Sequence, residues 1–109
     1  MQGMRISVRG ETAHSGPTPM TRRHNALVGA SYVAVAVDDI GWRYAPEDGK
    51  TTVARLDLRP NLPGILSDEA DLWIDFRHPI KARLPDMVAE VEAAVAESAR
   101  RSRTKIEIA

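Results

Sequence analysis

Strict alternation between apolar and polar residues constrains the fold of this chain more than any other feature of its sequence. The clearest example lies between Ala70 and His78 and is followed by Pro79. Its positions on one side are Leu72, Ile74 and Phe76, and those on the other are Trp73, Asp75 and Arg77. A period of two is typical of a strand with one buried face, and proline ends the ladder because it has no backbone N–H. The segment therefore predicts a half-buried β-strand.

Three further segments have the same period. The first runs from Met4 to Gly10, and the last runs from Lys105 to Ala109. Between them lies Thr51 to Arg59, followed by the loop Pro60 to Gly64, whose prolines and glycine cannot continue a sheet. In that middle strand we expect one face to carry Ala54, Leu56 and Leu58, and the other to carry Val53, Arg55 and Asp57.

Two segments have apolar residues at helical spacing. The first contains Ala26, Ala30, Val33, Ala34 and Val37, and the second contains Leu84, Met87, Val88, Val91, Ala94 and Val95. For the first helix the sequence predicts Thr18 as N-cap and Pro19 as the first helical residue, with Thr21 as the alternative cap. Gly41 is the expected end of this helix.

The predicted order of elements is βαββαβ. Helices and strands that each have one apolar face pack most simply as an α+β two-layer sandwich, with both helices on one face of an antiparallel sheet. This is the ferredoxin-like arrangement. Right-handed crossovers place the first strand between the third and the fourth, so the second and fourth strands form the edges. Both termini then lie at one end of the sheet, as an insertion into another domain requires.

Composition excludes several kinds of function. The chain has 109 residues, enough for one domain but too few for a deep two-domain cleft. Its 15 Lys and Arg balance its 15 Asp and Glu, which argues against nucleic acid and anionic membranes as partners. The absence of cysteine excludes disulfides, thiolate metal ligands and a cysteine nucleophile. With no membrane-spanning stretch and no signal pattern, we expect a soluble, cytoplasmic protein.

One histidine is distinguished by its surroundings. His14 lies between Gly10 and Gly16, and prolines follow at positions 17 and 19, so the loop is expected to be stiff and to present the imidazole outward. An isolated loop histidine is most often a solvated surface residue. In this context, an imidazole N–H could stabilise charge that develops on a carbonyl oxygen near neutral pH. His14 is therefore the candidate catalytic residue.

Other polar residues have simple structural explanations beside a functional one. Arg77, at the end of a strand, could bind a carboxylate through two hydrogen bonds. Its alternative partners are Asp57, Asp75 and Glu107. Asn61 could be a turn residue. Structural or surface roles are assigned to His24, His78, Arg100, Arg101 and Arg103. The sequence has no nucleophile and base pair, no metal-ligand spacing and no phosphate-binding glycine loop.

Three motifs together resemble one family. They are GETAHSGPTPMTRRHNAL from Gly10 to Leu27, the PN loop at Pro60, and a strand that ends in IDFRHP at Pro79. This combination resembles the lid, or dimerisation, domain of the amidase and hydantoinase/carbamoylase family, within the aminoacylase/carboxypeptidase clan of metallohydrolases. The resemblance covers essentially the whole chain. The HSGPTPM and DFRHP motifs point to the carbamoylase branch.

The resemblance implies a metal-dependent amidohydrolase acting on N-carbamoyl amino acids, ureidopropionate, allantoate or a related amide with a free carboxylate. Two divalent ions (zinc, manganese, cobalt or nickel) and a general-base glutamate would lie in a catalytic domain outside residues 1–109, and these residues would hold no metal. By motif position, His14 would stabilise the oxyanion and Arg77 would bind the substrate carboxylate. The family's usual asparagine position corresponds to Gly64. Either Asn61, three residues earlier, replaces it through a shifted loop, or that substrate contact is missing.

Strand directions separate the two candidate residues. The first strand carries His14 to the end of the sheet far from the termini, whereas the third strand returns and leaves Arg77 near them, about 25 Å away at ~3.3 Å per residue. We therefore expect Arg77 to serve its own chain's site, and His14 with the Asn61 loop to serve a partner's site in a two-fold homodimer. The first helix and the edge strand 51–58 are the expected contact. The alternative is a ligand-sensing or oligomerisation module without a catalytic role.

Overall fold

The computed structural model describes residues 2–109. Its helices and strands are β1 (Gln2–Arg9), α1 (Ala26–Tyr44), β2 (Lys50–Arg59), β3 (Glu69–Arg77), α2 (Leu84–Ser102) and β4 (Lys105–Ile108). Short 3-10 turns lie at Met20–Arg22, Ala45–Glu47 and Lys81–Arg83. In this part of the chain, no helix is long and apolar enough to cross a membrane.

The sheet has the strand order β2-β3-β1-β4, and its neighbouring strands are antiparallel. This confirms the predicted α+β, ferredoxin-like fold, with β1 between β3 and β4. The Ala109 N–H donates to the Arg5 carbonyl oxygen (2.8 Å), so β4 ends near the point where β1 begins. The two ends of the described chain therefore lie at one end of the sheet.

Both helices cover the same face of the sheet, and the core lies between the two layers. The buried apolar residues are Ile6 and Val8 of β1, Leu72, Ile74 and Phe76 of β3, Ala30, Val33 and Val37 of α1, and Met87, Val91 and Val95 of α2. The alternation predicted for the third strand is confirmed, because Leu72, Ile74 and Phe76 are buried while Arg77 is exposed. The opposite face of the sheet carries polar and charged side chains and Trp73, whose ring contacts Arg5 and Arg55.

The predicted start of the first helix is wrong. Helix α1 begins at Ala26, and its N-cap is Asn25, whose side chain accepts a hydrogen bond from the Leu27 N–H (3.1 Å). Pro19 instead precedes the separate 3-10 turn Met20–Arg22. Thr18 does not cap a helix because its hydroxyl donates to the His14 carbonyl oxygen (2.6 Å) within the loop. Helix α1 therefore begins about two turns later than local propensity predicts, because Thr18 binds within the histidine loop and Asn25 provides the cap.

The predicted end of this helix is also wrong, since α1 continues through Gly41 to Tyr44. Gly41 is needed for close packing: a Cβ atom at this position would collide with the Thr51 hydroxyl of β2. A glycine inside a helix can mark close approach of another strand as well as a helix end.

Strand β2 departs from simple alternation at a β-bulge between Val53 and Arg55. The bulge changes the phase, so Val53 packs against the core together with Leu58, and Ala54 is exposed. The prediction that Val53 shares a face with Arg55 and opposes Leu58 is therefore wrong. An extra residue on one strand shifts every side chain on one side of it to the other face.

Candidate functional site

The loop that carries His14 is held against the loop between β2 and β3. The Ser15 N–H donates to the Gly64 carbonyl oxygen, and the Leu66 N–H donates to the Ala13 carbonyl oxygen, each at 2.9 Å. His14 and Ile65 thus form an isolated antiparallel bridge. Two connections that are about 50 residues apart in sequence form one unit at the end of the sheet.

The Arg23 side chain holds this loop through hydrogen bonds to its backbone carbonyl oxygens. Its Nη2 donates to the Ser15 carbonyl oxygen (2.6 Å), and its Nε donates to the Thr18 carbonyl oxygen (3.1 Å). These two carbonyls flank the Gly16-Pro17 turn. The sequence identifies Arg23 only as a motif position. Its structural role requires the chain to fold back so that Arg23 reaches the Ser15 and Thr18 carbonyl oxygens, and no local sequence pattern predicts this.

The His14 imidazole is exposed, and the loop determines which nitrogen carries the proton. The Gly16 N–H donates to His14 Nδ1 (3.2 Å). Because Nδ1 accepts this hydrogen bond, the neutral ring carries its proton on Nε2, the outer nitrogen. His14 therefore presents an N–H donor at the tip of the loop, which is the group that stabilisation of an oxyanion requires.

Gly64 and Asn61 lie in the loop that faces His14. Gly64 has a φ of 82°, in the left-handed region that glycine adopts most readily, and its carbonyl is the one that Ser15 binds. Asn61 is exposed in the same loop. The structure therefore brings Gly64 to the histidine loop, at the position where the family pattern expects an asparagine, and gives no carboxamide at that position.

Arg77 lies at the other end of the sheet from His14. It pairs in register with Lys50, and the preceding residue Phe76 pairs with Gln2 at the beginning of β1. At the far end of β1, the Gly10 N–H donates to the Asp68 carbonyl oxygen just before β3. The eight steps between the nine residues of β3 separate the two ends by about 26 Å at ~3.3 Å per step. The expected separation of His14 from Arg77 therefore agrees with the register.

The Arg77 side chain is exposed, and its Nε lies 3.8 Å from Asp75 Oδ1. One of the alternative ion pairs expected from the sequence is therefore present. An exposed ion pair at this distance contributes little to stability.

The helix-free face of the sheet carries a buried carboxylate. Asp71 is 4% exposed and accepts hydrogen bonds from Ser7 Oγ (2.8 Å) and Arg59 Nη2 (2.7 Å). Arg5 Nη2 lies 3.3 Å from the same carboxylate. The hydrogen bond from Arg59, supported by Ser7 and Arg5, lowers the pKa of Asp71 to about 2. This network stabilises the centre of the sheet and has no assigned part in substrate binding.

The shifted pKa of Asp71 predicts an acid-sensitive contribution to stability. Because the folded pKa of about 2 lies below the ordinary value of 3.8, the contribution is complete above pH 4 and is lost as pH falls through 2. We expect the free energy of unfolding to fall by about 1–2 kcal/mol over this range. Urea unfolding of Asp71→Asn at several pH values should show no such loss of stability in acid, and Ser7→Ala should show part of it. If the free energy of unfolding of Asp71→Asn depends on pH as in the unmodified chain, the assignment is contradicted.

The chain's His, Asp and Glu side chains are the groups that could bind a metal ion. Across residues 2–109, no group of three or more His, Cys, Asp or Glu side chains is arranged to hold a metal ion. The described residues therefore do not fit a metal centre.

Comparison with solved structures finds close matches along nearly the whole chain. Amidases of the hydantoinase/carbamoylase family from Burkholderia multivorans and Burkholderia vietnamiensis each superpose with a TM-score of 0.93 at 36% identity. Each match covers 98% of this chain and 26% of the amidase. No protein-family model matches the sequence.

A curated relative gives the same result at the level of sequence. An N-carbamoyl-L-amino-acid amidohydrolase of Paenarthrobacter aurescens is 30% identical over 102 residues, which cover 91% of this chain and 24% of the relative. The fold and these matches define a domain of the kind found in amidases. The chain belongs to the hydantoinase/carbamoylase family of amidases, and it spans about a quarter of the length of the relatives it matches.

Proposed function

We propose that residues 1–109 form the lid and dimerisation domain of a metal-dependent amidohydrolase that cleaves N-carbamoyl amino acids or related amides bearing a carboxylate. The domain is an insertion in a larger hydrolase, whose catalytic domain lies outside these residues. The main support is the match along 98% of the chain to hydantoinase/carbamoylase amidases at a TM-score of 0.93. The adjacent ends of the described chain agree with an insertion.

His14 supplies the oxyanion-stabilising donor in this proposal. Attack of water on the scissile carbonyl places negative charge on its oxygen, and a preorganised N–H at that position lowers the barrier. The Gly16 N–H already holds His14 Nδ1, so Nε2–H needs no change of tautomer before it donates. When bound by the catalytic domain, a pair of divalent ions (zinc, manganese, cobalt or nickel) would supply the activated water.

Arg77 binds the substrate carboxylate in the site of its own subunit. Its planar guanidinium matches a carboxylate through two parallel hydrogen bonds, which a lysine cannot provide. The opposite placement of His14 along the sheet supports a role for that histidine in the partner's site. A two-fold dimer delivers each histidine loop to the other subunit, together with the loop of Asn61 and Gly64.

The proposed dimer contact is formed by α1 and the edge strand segment 51–58. In the sheet, β2 is an edge, and Leu56 is 39% exposed. On α1, the exposed fractions of Val35 and Trp42 are 63% and 73%. An isologous contact would pair the two edges and cover these apolar side chains. The same surface also supports the alternative, a module that oligomerises without any catalytic role.

Mixed dimers of the full-length enzyme test this proposal. One inactive parent carries His14→Ala, and the other lacks a metal ligand in the catalytic domain. In a mixed dimer, the intact metal centre receives a normal histidine loop from its partner, so random mixing should make about a quarter of the sites active on N-carbamoyl amino acids. Hydrolysis is measured before and after subunit exchange.

Arg77→Ala provides the matched control in the same exchange. Because this arginine acts within its own subunit, mixing Arg77→Ala with the metal-ligand variant should restore no activity. Recovery with Arg77→Ala, or its absence with His14→Ala, would contradict the assignment of the two residues to different subunits. A full-length protein that hydrolyses no N-carbamoyl amino acid or related amide would leave only the oligomerisation module.

A further inference from the structure

We infer that His78 is a positioning residue for Arg77, because it fixes the end of β3 to the 3-10 turn Ala45–Glu47 and so sets where the guanidinium meets a carboxylate. This inference rests on the proposed function, which assigns the substrate carboxylate to Arg77. His78 follows Arg77 directly in sequence. Sequence reasoning assigns it only a structural or surface role.

The His78 ring is enclosed by the protein. Its side chain is 0% exposed, and it continues the inward face of β3 while Arg77 points outward. The ring packs edge to face on Tyr44, with 5.9 Å between ring centroids and an interplanar angle of 88°. On another side is Gly49, where an added Cβ would lie 3.2 Å from His78 Cδ2. This packing restricts the ring to one orientation.

Both ring nitrogens of His78 have partners. The Ile80 N–H donates to Nδ1 (2.9 Å), so the neutral ring carries its proton on Nε2. Nε2 in turn donates to Glu47 Oε1 (3.2 Å). One side chain thus joins the end of β3, the turn at Pro79 and the 3-10 turn after α1.

Glu47 is itself held in place by an arginine. Arg83 donates to both carboxylate oxygens, from Nε at 2.9 Å and from Nη2 at 3.0 Å. This hydrogen bonding from Arg83, with a smaller contribution from His78, keeps the pKa of Glu47 below its usual range. Arg83 also donates to Asp86 (2.8 Å). The partner of His78 is therefore an ionised carboxylate anchored to the beginning of α2.

Arg77 lies one residue before this anchor, near the end of the sheet. On the β2 side it pairs with Lys50, and on the β1 side the register described within residues 2–109 reaches Phe76. His78, the next residue along the chain, is held by its hydrogen bonds and by Tyr44. Recognition of a carboxylate by two hydrogen bonds tolerates little displacement, and a shift of about 1 Å can lower an enzyme's rate by about 10²-fold.

Steady-state kinetics of the full-length enzyme test the inference with N-carbamoyl-L-alanine and, as a substrate without the carboxylate, its carboxamide. His78→Asn keeps an acceptor near Nδ1 but cannot reach Glu47. Glu47→Ala removes the partner and leaves the histidine; its side chain is 40% exposed, so this variant should fold. Each change should raise KM for N-carbamoyl-L-alanine about tenfold with little change in kcat, and leave the carboxamide unaffected.

Two further variants complete the test. Asp86→Ala removes the other carboxylate from Arg83 without touching His78, and should keep the normal KM. On an Arg77→Lys background, His78→Asn should add nothing, because the bidentate contact is already lost. If Arg77→Lys raises KM while His78→Asn and Glu47→Ala do not, the positioning role is wrong and the proposed function stands. If Arg77→Lys leaves KM unchanged, the carboxylate role of Arg77 fails, and the inference with it.

Discussion

Replacing His14 with alanine in the full-length protein is expected, under the proposed function, to lower kcat by about 10²–10³-fold with little change in KM. In that proposal, the Nε2–H, oriented by the Gly16 hydrogen bond to Nδ1, binds the oxygen of the tetrahedral intermediate more strongly than that of the ground-state carbonyl. Steady-state kinetics on an N-carbamoyl amino acid measure both constants.

Two amide substitutions at the same position separate loss of the donor from loss of the ring. The amide of His14→Gln extends to about where Nε2 lies and should restore part of kcat, whereas His14→Asn is too short and should resemble alanine. As a matched control, His24→Ala removes the nearby histidine that contacts the Arg103 carbonyl oxygen (2.7 Å), and should keep kcat close to normal. Normal kcat in His14→Ala would exclude a catalytic role for the loop.

Replacing Gly10 with alanine is expected to destabilise the chain by about 1–3 kcal/mol or more and to reduce activity with it. A Cβ at Gly10 would overlap the His24 carbonyl oxygen and lie 3.1 Å from the Ala26 nitrogen. Both are backbone atoms, so the chain at the beginning of α1 has to move. Because Gly10 leads directly into the histidine loop, this movement should displace His14 as well.

Gly3→Ala is the control for this substitution in the same strand. Its added Cβ would meet only the Ile74 carbonyl oxygen, at 3.8 Å, which is an ordinary contact. Urea unfolding should therefore give a free energy within about 0.5 kcal/mol of the unmodified chain for Gly3→Ala. Equal effects of the two substitutions would show that glycine flexibility, and not the approach of His24, determines the requirement at Gly10.

The packing of two helices on one sheet was predictable because it follows from the spacing of apolar residues along the sequence. Alternation in β3 gave the buried positions Leu72, Ile74 and Phe76, and the right-handed crossover rule gave the strand order. The alternation of apolar and polar residues could not locate the bulge near Ala54. One extra residue in β2 changes its pairing with β3, but the composition of the strand does not mark the position.

The ends of α1 were not predictable because contacts with residues outside the predicted helix set them. Thr18 is a good N-cap by type, yet its hydroxyl binds the His14 carbonyl, and Asn25 caps the helix instead. Gly41 resembles a helix terminator, yet it lies within the helix where Thr51 approaches. In both cases the deciding partner comes from a segment outside the predicted helix.

The candidate site, like the fold, was predictable only in part. The motifs drew attention to His14 and Arg77, and strand direction alone placed them at opposite ends of the sheet. Local sequence did not indicate that Arg23 holds the histidine loop or that Gly64 pairs with Ser15. The burial of His78 against Tyr44 was likewise absent from the sequence pattern.

The sequence by itself therefore determined the βαββαβ order and the buried face of β3, because each follows from side-chain type and short-range spacing. Only the tertiary structure decided the support of the His14 loop by the loop of Gly64 and the burial of His78 beside Arg77. Those features depend on hydrogen bonds and packing between residues distant in sequence, and the folded chain alone brings such residues into contact.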